Sequence, residues 1–276
     1  MEGLDQKLKV YARQQFFNAL LAVSLLLIVG FGLFGYYTGE PVYYLLGLLL
    51  PVFAALLVVL RLAQLIFKRL YARSHDYEQL EALFSVYQYL KPQALLPKMR
   101  NYAGSPDFLR EVLLQLQQCK PKVIVEASSG LSSMVVSEWL LQHAPEAVHY
   151  ALEDEAKYAG LTRQQIFNPN SHILHAPITE HKIDGKPWKW YDISEIAHLE
   201  QIDLLIIDGP PLHLQDQARY PAVPLLADRL SDQAVILLDD GNRPDERAIA
   251  RRWAKELGMT LQYLPLEKGA YLLSKA

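Results

Sequence analysis

The chain has 276 residues, which is enough for one domain of ordinary size together with an appendage. Its formal net charge of -3 provides no general basic field, so we expect no nucleic-acid partner. The single cysteine, Cys119, excludes an internal disulfide framework and is typical of a reducing compartment.

Two uncharged, hydrophobic stretches lie near the N-terminus, at residues 16–37 and 42–60. Each has about 19 to 22 residues, which suffices for a helix that crosses a hydrocarbon core of roughly 30 Å. The few residues between them allow only a tight turn, flanked by aromatic residues placed as an interfacial belt: Tyr36, Tyr37, Tyr43 and Tyr44. The sequence therefore predicts a transmembrane helical hairpin over residues 16–60.

Positive charges lie on the side of this hairpin away from the turn, namely Lys7, Lys9, Arg13, Arg61, Lys68, Arg69 and Arg73. Because cytoplasmic segments carry such an excess, we expect residues 1–15 and everything after the hairpin to be cytoplasmic, in a two-pass protein of the inner membrane. No small-residue cleavage site follows the first stretch, which argues against a signal peptide. Gly30, Gly32 and Gly35 would let the two helices approach closely.

Residues 61–94 continue with helical spacing and mix apolar with charged side chains. We interpret them as an amphipathic connector, which either lies at the membrane surface with its basic start against anionic lipid or packs on the following domain. Pro92 and Pro97 end the pattern, and residues 95–276 form the remaining domain.

The central stretch of that domain begins with a β-branched run at residues 123–125, which ends in Glu126. The small residues Ser128, Ser129 and Gly130 follow, and then a helical pattern. This order predicts a strand, a tight loop and a helix that open an α/β unit, where such folds bind cofactors. With a single glycine, the loop alone is equally compatible with a purely structural turn.

Glu153 ends the second predicted strand, about 23 residues beyond Gly130, where nucleoside-binding α/β folds place the acid that accepts the ribose hydroxyls. Alternatively, Glu153 caps the next helix together with its acidic neighbours. Trp190 and Tyr191 fall in a long predicted loop that either lines a substrate pocket or covers the sheet.

Two buried parallel strands, predicted near residues 202–207 and 234–238, are followed by Asp208 and Asp240. Their carboxyl ends meet at one edge of the sheet, and converging carboxylates suit Mg²⁺ or another hard divalent ion that would hold and acidify a substrate hydroxyl. The alternative is that these aspartates are turn residues and helix caps.

Several segments in order resemble the class I S-adenosylmethionine-dependent methyltransferases, in particular a bacterial group: E-A-S-S-G-L-S at 126–132, D-G-P-P at 208–211, A-R-Y-P-A at 218–222 and L-D-D-G-N-R at 238–243. The resemblance covers residues 95–276. It implies a Rossmann-like α/β fold with a seven-stranded sheet whose last strand is antiparallel. It also implies S-adenosylmethionine over a loop containing Glu126, Ser128, Gly130 and Ser132, with Glu153 on the ribose.

The domain is also similar to the catechol-type O-methyltransferases, and this resemblance implies a divalent metal, such as Mg²⁺, on Asp208, Asp239 and Asp240. The family's loop usually reads E-x-G-x-G-x-S, and here Ser128 stands at the first glycine. A serine fits there if its φ is negative.

The function that the resemblance implies is a membrane-anchored methyltransferase, acting on an oxygen of a saccharide, a lipid-linked molecule or another small acceptor. Asp208, or a metal it binds, is the candidate base. Arg219 and Arg243 either bind an anionic acceptor, beside Trp190 and Tyr191, or form ion pairs with the acids. The alternative function is a catalytically degenerate scaffold at the membrane, favoured by Ser128. An NAD-linked oxidoreductase is disfavoured, because Ser133 replaces the last glycine of the dinucleotide fingerprint.

Overall fold

The computed structural model describes residues 14–92, 95–97, 99 and 104–275, without the side chains of residues 14–17 and 71–75. The predicted cytoplasmic segment at residues 1–13 and the end of the predicted connector at residues 93–94 lie outside this description. The chain forms two compact units, Met1–Tyr77 and Glu78–Ala276.

Helix α1, Gln14–Thr38, and the first part of helix α2, Val42–Leu90, make up the hairpin of the first unit. The stretches Asn18–Thr38 and Val42–Leu70, of 21 and 29 residues, are long and apolar enough to cross a membrane. Few of their residues are buried within the protein, as expected of surfaces that face lipid. Both are candidate spans by length and composition.

Close packing within the hairpin depends on two glycines. A Cβ atom at Gly35 would lie 2.9 Å from the ring of Tyr44, and one at Gly47 would lie 3.1 Å from the Cβ of Phe31. Gly30 and Gly32, which the sequence suggested for the same role, have no atom within 4 Å of such a position. Gly35 therefore has the predicted role, and Gly47 shares it.

The segment predicted as a separate connector from residue 61 is, as far as Leu90, the continuation of the second hydrophobic helix. No glycine or proline occurs between residues 52 and 91, so nothing local interrupts the helix. Its last turns belong to the second unit, where Ala82, Val86 and Leu90 are buried at one-turn intervals.

The second unit contains, among the described residues, the strands β1 Val123–Ala127, β2 Val148–Glu153, β3 Ser171–His175, β4 Ile178–Ile183, β5 Lys186–Tyr191, β6 Ile202–Ile207, β7 Leu230–Asp239, β8 Thr260–Leu264 and β9 Ala270–Ser274. Its further helices are α3 Pro106–Cys119, α4 Leu131–His143, α5 Ala156–Arg163, α6 Ala222–Leu226 and α7 Pro244–Leu257.

Seven strands form one sheet in the order β3-β2-β1-β6-β7-β9-β8. All pairs are parallel except those of β9, which runs antiparallel to both β7 and β8. This is the predicted Rossmann-like methyltransferase sheet with an antiparallel last strand. The chain order reverses where β1 lies between β2 and β6, and ligands bind at such a switch point in open α/β sheets.

Both faces of the sheet are covered, which explains why its central strands are apolar throughout. Val125 and Leu205 point into a core formed with α7 and the region of β5, whereas Ile124 and Leu204 point into a second core formed with α3 and α4. The loops after β1, β2, β6 and β7 therefore converge at one edge of a sheet that is packed on both faces.

The predicted long loop before β6 is instead a β-hairpin, because β4 and β5 pair as a separate antiparallel sheet. Asp184 and Gly185 form its turn, with φ angles of 50° and 78°. An Asp-Gly pair with two positive φ angles favours the tight connection of two strands. This hairpin holds Trp190 and Tyr191 in fixed positions instead of on a mobile loop.

Candidate active site

The carboxylate of Glu126, near the end of β1, is fully buried and has three polar partners within the protein. Ser132 and Ser133, in the first turn of α4, donate their hydroxyls to its two oxygens, and His149 Nε2 lies 3.2 Å from Oε2. The helix dipole also favours a negative charge at this N-terminus. Glu126 and Ser132 were both predicted to bind the cofactor. In the structure they are hydrogen-bonded to each other, and this bond connects the end of β1 to the start of α4.

The loop above Glu126 has the backbone of a glycine-rich turn although it contains one glycine. Gly130 has a φ of 151°, and a Cβ atom added to it would meet nothing within 4 Å, so the space over it is open. Ser128 has a φ of 107°. The condition under which a serine fits this position, a negative φ, is therefore not met, and Ser128 occupies a conformation that non-glycine residues adopt at a cost of about 1 to 3 kcal/mol.

Glu153 lies at the end of β2, facing this loop, as the sequence predicted. Ser129 donates both its hydroxyl, at 2.9 Å, and its backbone N–H, at 3.2 Å, to Oε2, and the N–H of Glu155 lies 3.3 Å from Oε1. Burial raises the pKa of Glu153, although these donors favour its charged form. An ionised carboxylate has about four acceptor positions, so Glu153 retains capacity for a ligand's hydroxyls.

The loops after β6 and β7 bring together the predicted acids around the guanidinium of Arg219. Its Nη2 donates to Asp240 Oδ2 at 2.8 Å and to Asp208 Oδ1 at 3.2 Å, and also to the backbone oxygen of Asp208 at 2.8 Å. Its Nη1 donates to the backbone oxygen of Asp239 at 3.0 Å. Arg219 is 3% exposed, so it is an internal part of the cluster.

Two further residues, Arg243 and Glu246, extend the network of ion pairs around Asp240. Arg243 Nη1 lies 2.8 Å from Asp240 Oδ2 and 3.5 Å from Glu246 Oε1. Glu246 is itself 3.8 Å from Arg219 Nε. Of the two alternatives that the sequence left open for the arginines, the structure shows the second: both form ion pairs with the acids.

Burial dominates the acid chemistry of this centre. It raises the pKa of the Asp208 carboxyl to about 6, with Arg219 opposing the shift and Asp240 adding to it. It also raises the pKa of Asp239, whose two carboxylate oxygens have no hydrogen-bond partner among the described residues. Burial disfavours the charged form of Arg219 as well, yet the carboxylates around it outweigh this effect and raise its pKa. Arg219 is therefore a permanent internal cation.

The three aspartates do not fit Mg²⁺ in this arrangement, although one oxygen of each lies within 4.8 Å of the others. Arg219 already donates to one oxygen of Asp208 and to one of Asp240. Two like unit charges about 4 Å apart repel by roughly 4 kcal/mol at an effective dielectric constant of about 20. Between the Arg219 guanidinium and a divalent ion at that distance, the repulsion would be twice as large. The structure thus brings Asp208, Asp239 and Asp240 together, in a cluster in which Arg219 forms ion pairs with Asp208 and Asp240.

Trp190 and Tyr191, predicted to contact substrate, are 0% and 1% exposed. Trp190 is part of the core, so this arrangement gives it no contact with an acceptor. Tyr191 differs, because its hydroxyl reaches the catalytic edge: a Cβ atom on Gly209 would collide with it and would lie 3.1 Å from the Cβ of Ser128. Burial and the surrounding acids Asp154 and Glu153 raise the pKa of Tyr191, so its hydroxyl stays protonated.

Two residues of the site, His149 and Glu246, were not singled out from the sequence. Ser129, Ser133 and Gly209 were named only as parts of sequence patterns, without the contacts that the structure shows. The positions of Ser129 and Ser133 in the small-residue loop and the first helical turn were a usable signal, since hydroxyls there commonly satisfy helix N-termini. His149 carries no local signal, because its role depends on the register of β2 against β1.

No family model matches the chain, and no curated protein matches it. Among solved structures, the chain is similar to the SAH-bound methyltransferase PaMTH1 of Podospora anserina, at 15% identity over 75% of this chain and 96% of that one, with a TM-score of 0.52. It is also similar to an O-methyltransferase from Bacillus cereus in complex with SAH, at 18% identity over 71% and 91%, with a TM-score of 0.45.

A third similar structure is a putative caffeoyl-CoA O-methyltransferase from Staphylococcus aureus, at 12% identity over 76% of this chain and 100% of that one, with a TM-score of 0.47. At such identities a likeness establishes a fold and not an activity. The second unit therefore has the Rossmann-like fold of class I methyltransferases.

Proposed function

We propose that the second unit binds S-adenosylmethionine over the loop after β1 and transfers its methyl group to an oxygen of a small acceptor. The observation that carries this proposal is the pairing of Glu153, at the end of β2, with open space over Gly130 at the switch point of the sheet. A nucleoside with a ribose diol fits an acid in that position. The likeness in fold to an SAH-bound methyltransferase agrees with it.

S-adenosylmethionine supplies an electrophilic methyl group on a sulfonium. The protein has to orient an acceptor in line with that group and exclude water, and this can provide most of the acceleration. An oxygen nucleophile also requires removal of a proton. Asp208, with a pKa of about 6 and a side chain that is 13% exposed, is suited to take it near neutral pH.

Three further side chains at this edge would position Asp208 and the acceptor: Arg219, Tyr191 and Arg243. Arg219 fixes the Asp208 carboxylate and keeps part of its charge balanced. The Tyr191 hydroxyl, beside Gly209 and Ser128, stands between the proposed cofactor acid and the proposed base and can donate to the acceptor's oxygen. Arg243, which is 39% exposed, offers a positive charge to an anionic acceptor such as a uronic acid or a phosphate.

Cofactor binding tests the proposal directly. S-adenosylmethionine and S-adenosylhomocysteine are titrated calorimetrically into the full chain in detergent, with Glu153→Ala and Glu155→Ala as a matched pair. We expect Glu153→Ala to lower affinity about tenfold or more, because two hydrogen bonds to a charged group are lost. Glu155→Ala removes a neighbouring exposed acid and keeps the backbone N–H, so it leaves affinity within about twofold. Absence of binding by folded wild-type protein contradicts the proposal.

We also propose that the hairpin anchors the enzyme in the inner membrane with both termini and the catalytic unit in the cytoplasm. The excess of Arg and Lys on the side away from the turn supports this orientation. Acceptors at or near the membrane, such as lipid-linked saccharides, then have the readiest access to the enzyme.

Cysteine labelling tests the orientation. In a Cys119→Ala background, Glu40→Cys places a thiol in the turn and Asp232→Cys places one on a fully exposed side chain of the catalytic unit. We expect an impermeant maleimide to label Glu40→Cys in intact cells and Asp232→Cys only after lysis. The reverse pattern places the catalytic unit outside the cytoplasm and contradicts the proposal.

A second candidate function is a methyltransferase-like scaffold without activity. The specific observations in its favour are the φ of 107° at Ser128 and the occupation of Glu153 by both donors of Ser129. A folded wild-type protein that binds neither S-adenosylmethionine nor S-adenosylhomocysteine supports this candidate over the enzyme.

A further inference from the structure

The acidic centre after β6 and β7 contains the guanidinium of Arg219. A metal ion bound at this centre would compete with that guanidinium for oxygens of Asp208 and Asp240. A single nitrogen of Arg219, Nη2, donates to Asp208 Oδ1, to Asp240 Oδ2 and to the backbone oxygen of Asp208. This is the set of bonds that a small cation makes when it bridges two carboxylates and a carbonyl group. The second nitrogen, Nη1, reaches the backbone oxygen of Asp239.

The backbone next to Arg219 is anchored by the residue that follows it. Tyr220 packs its ring under the Arg252 guanidinium, at 3.7 Å from the ring centre, and its hydroxyl donates to Glu256. Trp253 Nε1 donates to the backbone oxygen of Tyr220 at 3.1 Å. Helix α7 therefore holds the chain at Tyr220, next to Arg219.

Asp239 provides an independent observation that the centre is assembled around a positive charge. Its side chain is fully buried beside those of Asp208 and Asp240, and neither oxygen has a hydrogen-bond partner among the described residues. A buried carboxylate without partners is retained only where nearby charge compensates it. Two cations interact with Asp239: Lys268, which lowers its pKa, and Arg219, whose own pKa Asp239 helps to raise.

We propose that Arg219 permanently takes the place of a divalent metal ion in this centre, so that it is the positioning residue for Asp208 and the enzyme works without a metal. The inference deepens the proposed function, since Asp208 is the base of that proposal, but its test measures metal binding and not methyl transfer. Removal of Arg219 should then create a metal site, because three carboxylates with oxygens within 4.8 Å of one another would lose the guanidinium that bridges Asp208 and Asp240, while Arg243 would still contact Asp240.

The experiment measures binding of Mn²⁺ to the full chain in detergent by electron paramagnetic resonance, together with the thermal midpoint. All four tryptophans, Trp139, Trp188, Trp190 and Trp253, lie in the second unit, so their fluorescence reports unfolding of that unit within the intact protein. The variants are Arg219→Ala and Arg219→Gln, the second because it keeps more of the side chain if the alanine variant does not fold. Arg243→Ala is the matched control, since it removes a cation that also contacts Asp240 and leaves Arg219 in place.

We expect wild type and Arg243→Ala to show no saturable Mn²⁺ binding up to about 10 mM and no change of thermal midpoint with Mn²⁺, Mg²⁺ or a chelator. Arg219→Ala or Arg219→Gln is expected to bind one Mn²⁺ at least about tenfold more tightly than wild type, with a midpoint that rises with Mn²⁺ concentration. Adding Asp240→Asn to the same variant should abolish that gain.

Two results overturn the inference. One is stoichiometric binding of Mn²⁺ to wild type that Asp240→Asn abolishes, because the centre then holds a metal beside Arg219. The other is a folded Arg219 variant that binds no Mn²⁺, because Arg219 then does not stand in a metal's place. Either result leaves S-adenosylmethionine binding, and with it the proposed function, to be judged separately.

Discussion

The two halves of the candidate site stabilise their carboxylates in different ways. After β1 and β2, Glu126 and Glu153 accept hydrogen bonds from serine hydroxyls and backbone N–H groups. After β6 and β7, Asp208 and Asp240 are bound to the guanidinium of Arg219. The first half thus uses neutral donors and the second a buried cation.

This difference suits the two tasks that we propose. A hydroxyl such as that of Ser129 can rotate away from Glu153 when a ligand's hydroxyls arrive, so the first half can exchange its internal bonds for bonds to a ligand. A buried ion pair has no such freedom, because removal of one partner leaves an unpaired charge and costs about 3 to 5 kcal/mol. The second half is therefore preassembled before an acceptor binds.

The largest expected effect comes from removing the proposed base. Asp208→Asn keeps the shape of the side chain but cannot take a proton, so we expect the rate of methyl transfer to fall by about 10²- to 10⁴-fold. The measurement is transfer of a labelled methyl group from S-adenosylmethionine to a polysaccharide and membrane-lipid extract. Asp232→Asn, at a fully exposed side chain, is the control and should be indistinguishable from wild type. An active Asp208→Asn enzyme assigns the base elsewhere.

The second effect is a pH dependence of stability that belongs to the acids after β6 and β7. The pKa of Asp208 rises from 3.8 to about 6 on folding, so the folded state holds an extra proton between these values. A raised carboxyl pKa means that stability falls as pH rises through this window. We expect the free energy of unfolding of wild type, relative to Asp208→Asn, to fall by roughly 2 to 3 kcal/mol between about pH 4 and pH 6.

Tryptophan fluorescence during denaturant unfolding of the full chain measures this difference. Asp232→Asn again serves as the control, since an exposed carboxylate should give a nearly pH-independent difference. A wild-type stability that rises relative to Asp208→Asn over the same window contradicts the prediction, because it requires a lowered pKa in the folded state.

A third effect tests whether Tyr191 joins the two halves. Gly209→Ala brings a methyl group into collision with the Tyr191 hydroxyl, which a buried ring cannot easily move, so we expect a loss of about 1 to 3 kcal/mol in stability. In a Tyr191→Phe background the same substitution should cost less, because the colliding atom is gone. Gly160→Ala, where an added Cβ meets nothing, is the control. Equal costs in both backgrounds would place the hydroxyl elsewhere.

The sequence was sufficient to predict those features that depend on local patterns. The apolar runs of β6 and β7 predict buried parallel strands, and the positions of Glu153, Asp208 and Asp240 directly after strands predict that they meet at one edge. The hairpin of β4 and β5 was missed, although Asp184 and Gly185 between alternating residues are a hairpin signal. Charged residues such as Glu180 and Lys189 within these strands obscured it.

The arrangement of charges within the site could not be predicted from local patterns. Whether carboxylates bind a metal or an arginine depends on where a long side chain reaches in three dimensions, and Arg219 reaches Asp240, on the next strand's loop. The φ of Ser128 depends likewise on the packing of β1, β2 and β6 around it. Such features follow from tertiary structure, which overrides the preference of a single residue.

The smallest expected effect concerns Ser128, where the first half departs from the E-x-G-x-G-x-S pattern that it resembles. Its φ of 107° is easily adopted by glycine, so Ser128→Gly should relieve backbone strain and raise the free energy of unfolding by about 1 kcal/mol, after allowance for the greater freedom of glycine in the unfolded chain. Denaturant unfolding followed by tryptophan fluorescence measures it. Ser129→Gly is the control, because it loses the hydroxyl donor to Glu153 and should be destabilised.

Ser128→Gly also distinguishes the two candidate functions. If wild type binds S-adenosylmethionine and Ser128→Gly binds it only slightly better, the serine is a tolerated substitution in an enzyme. If only Ser128→Gly binds, the serine at this position has closed the site, and the natural protein is a scaffold.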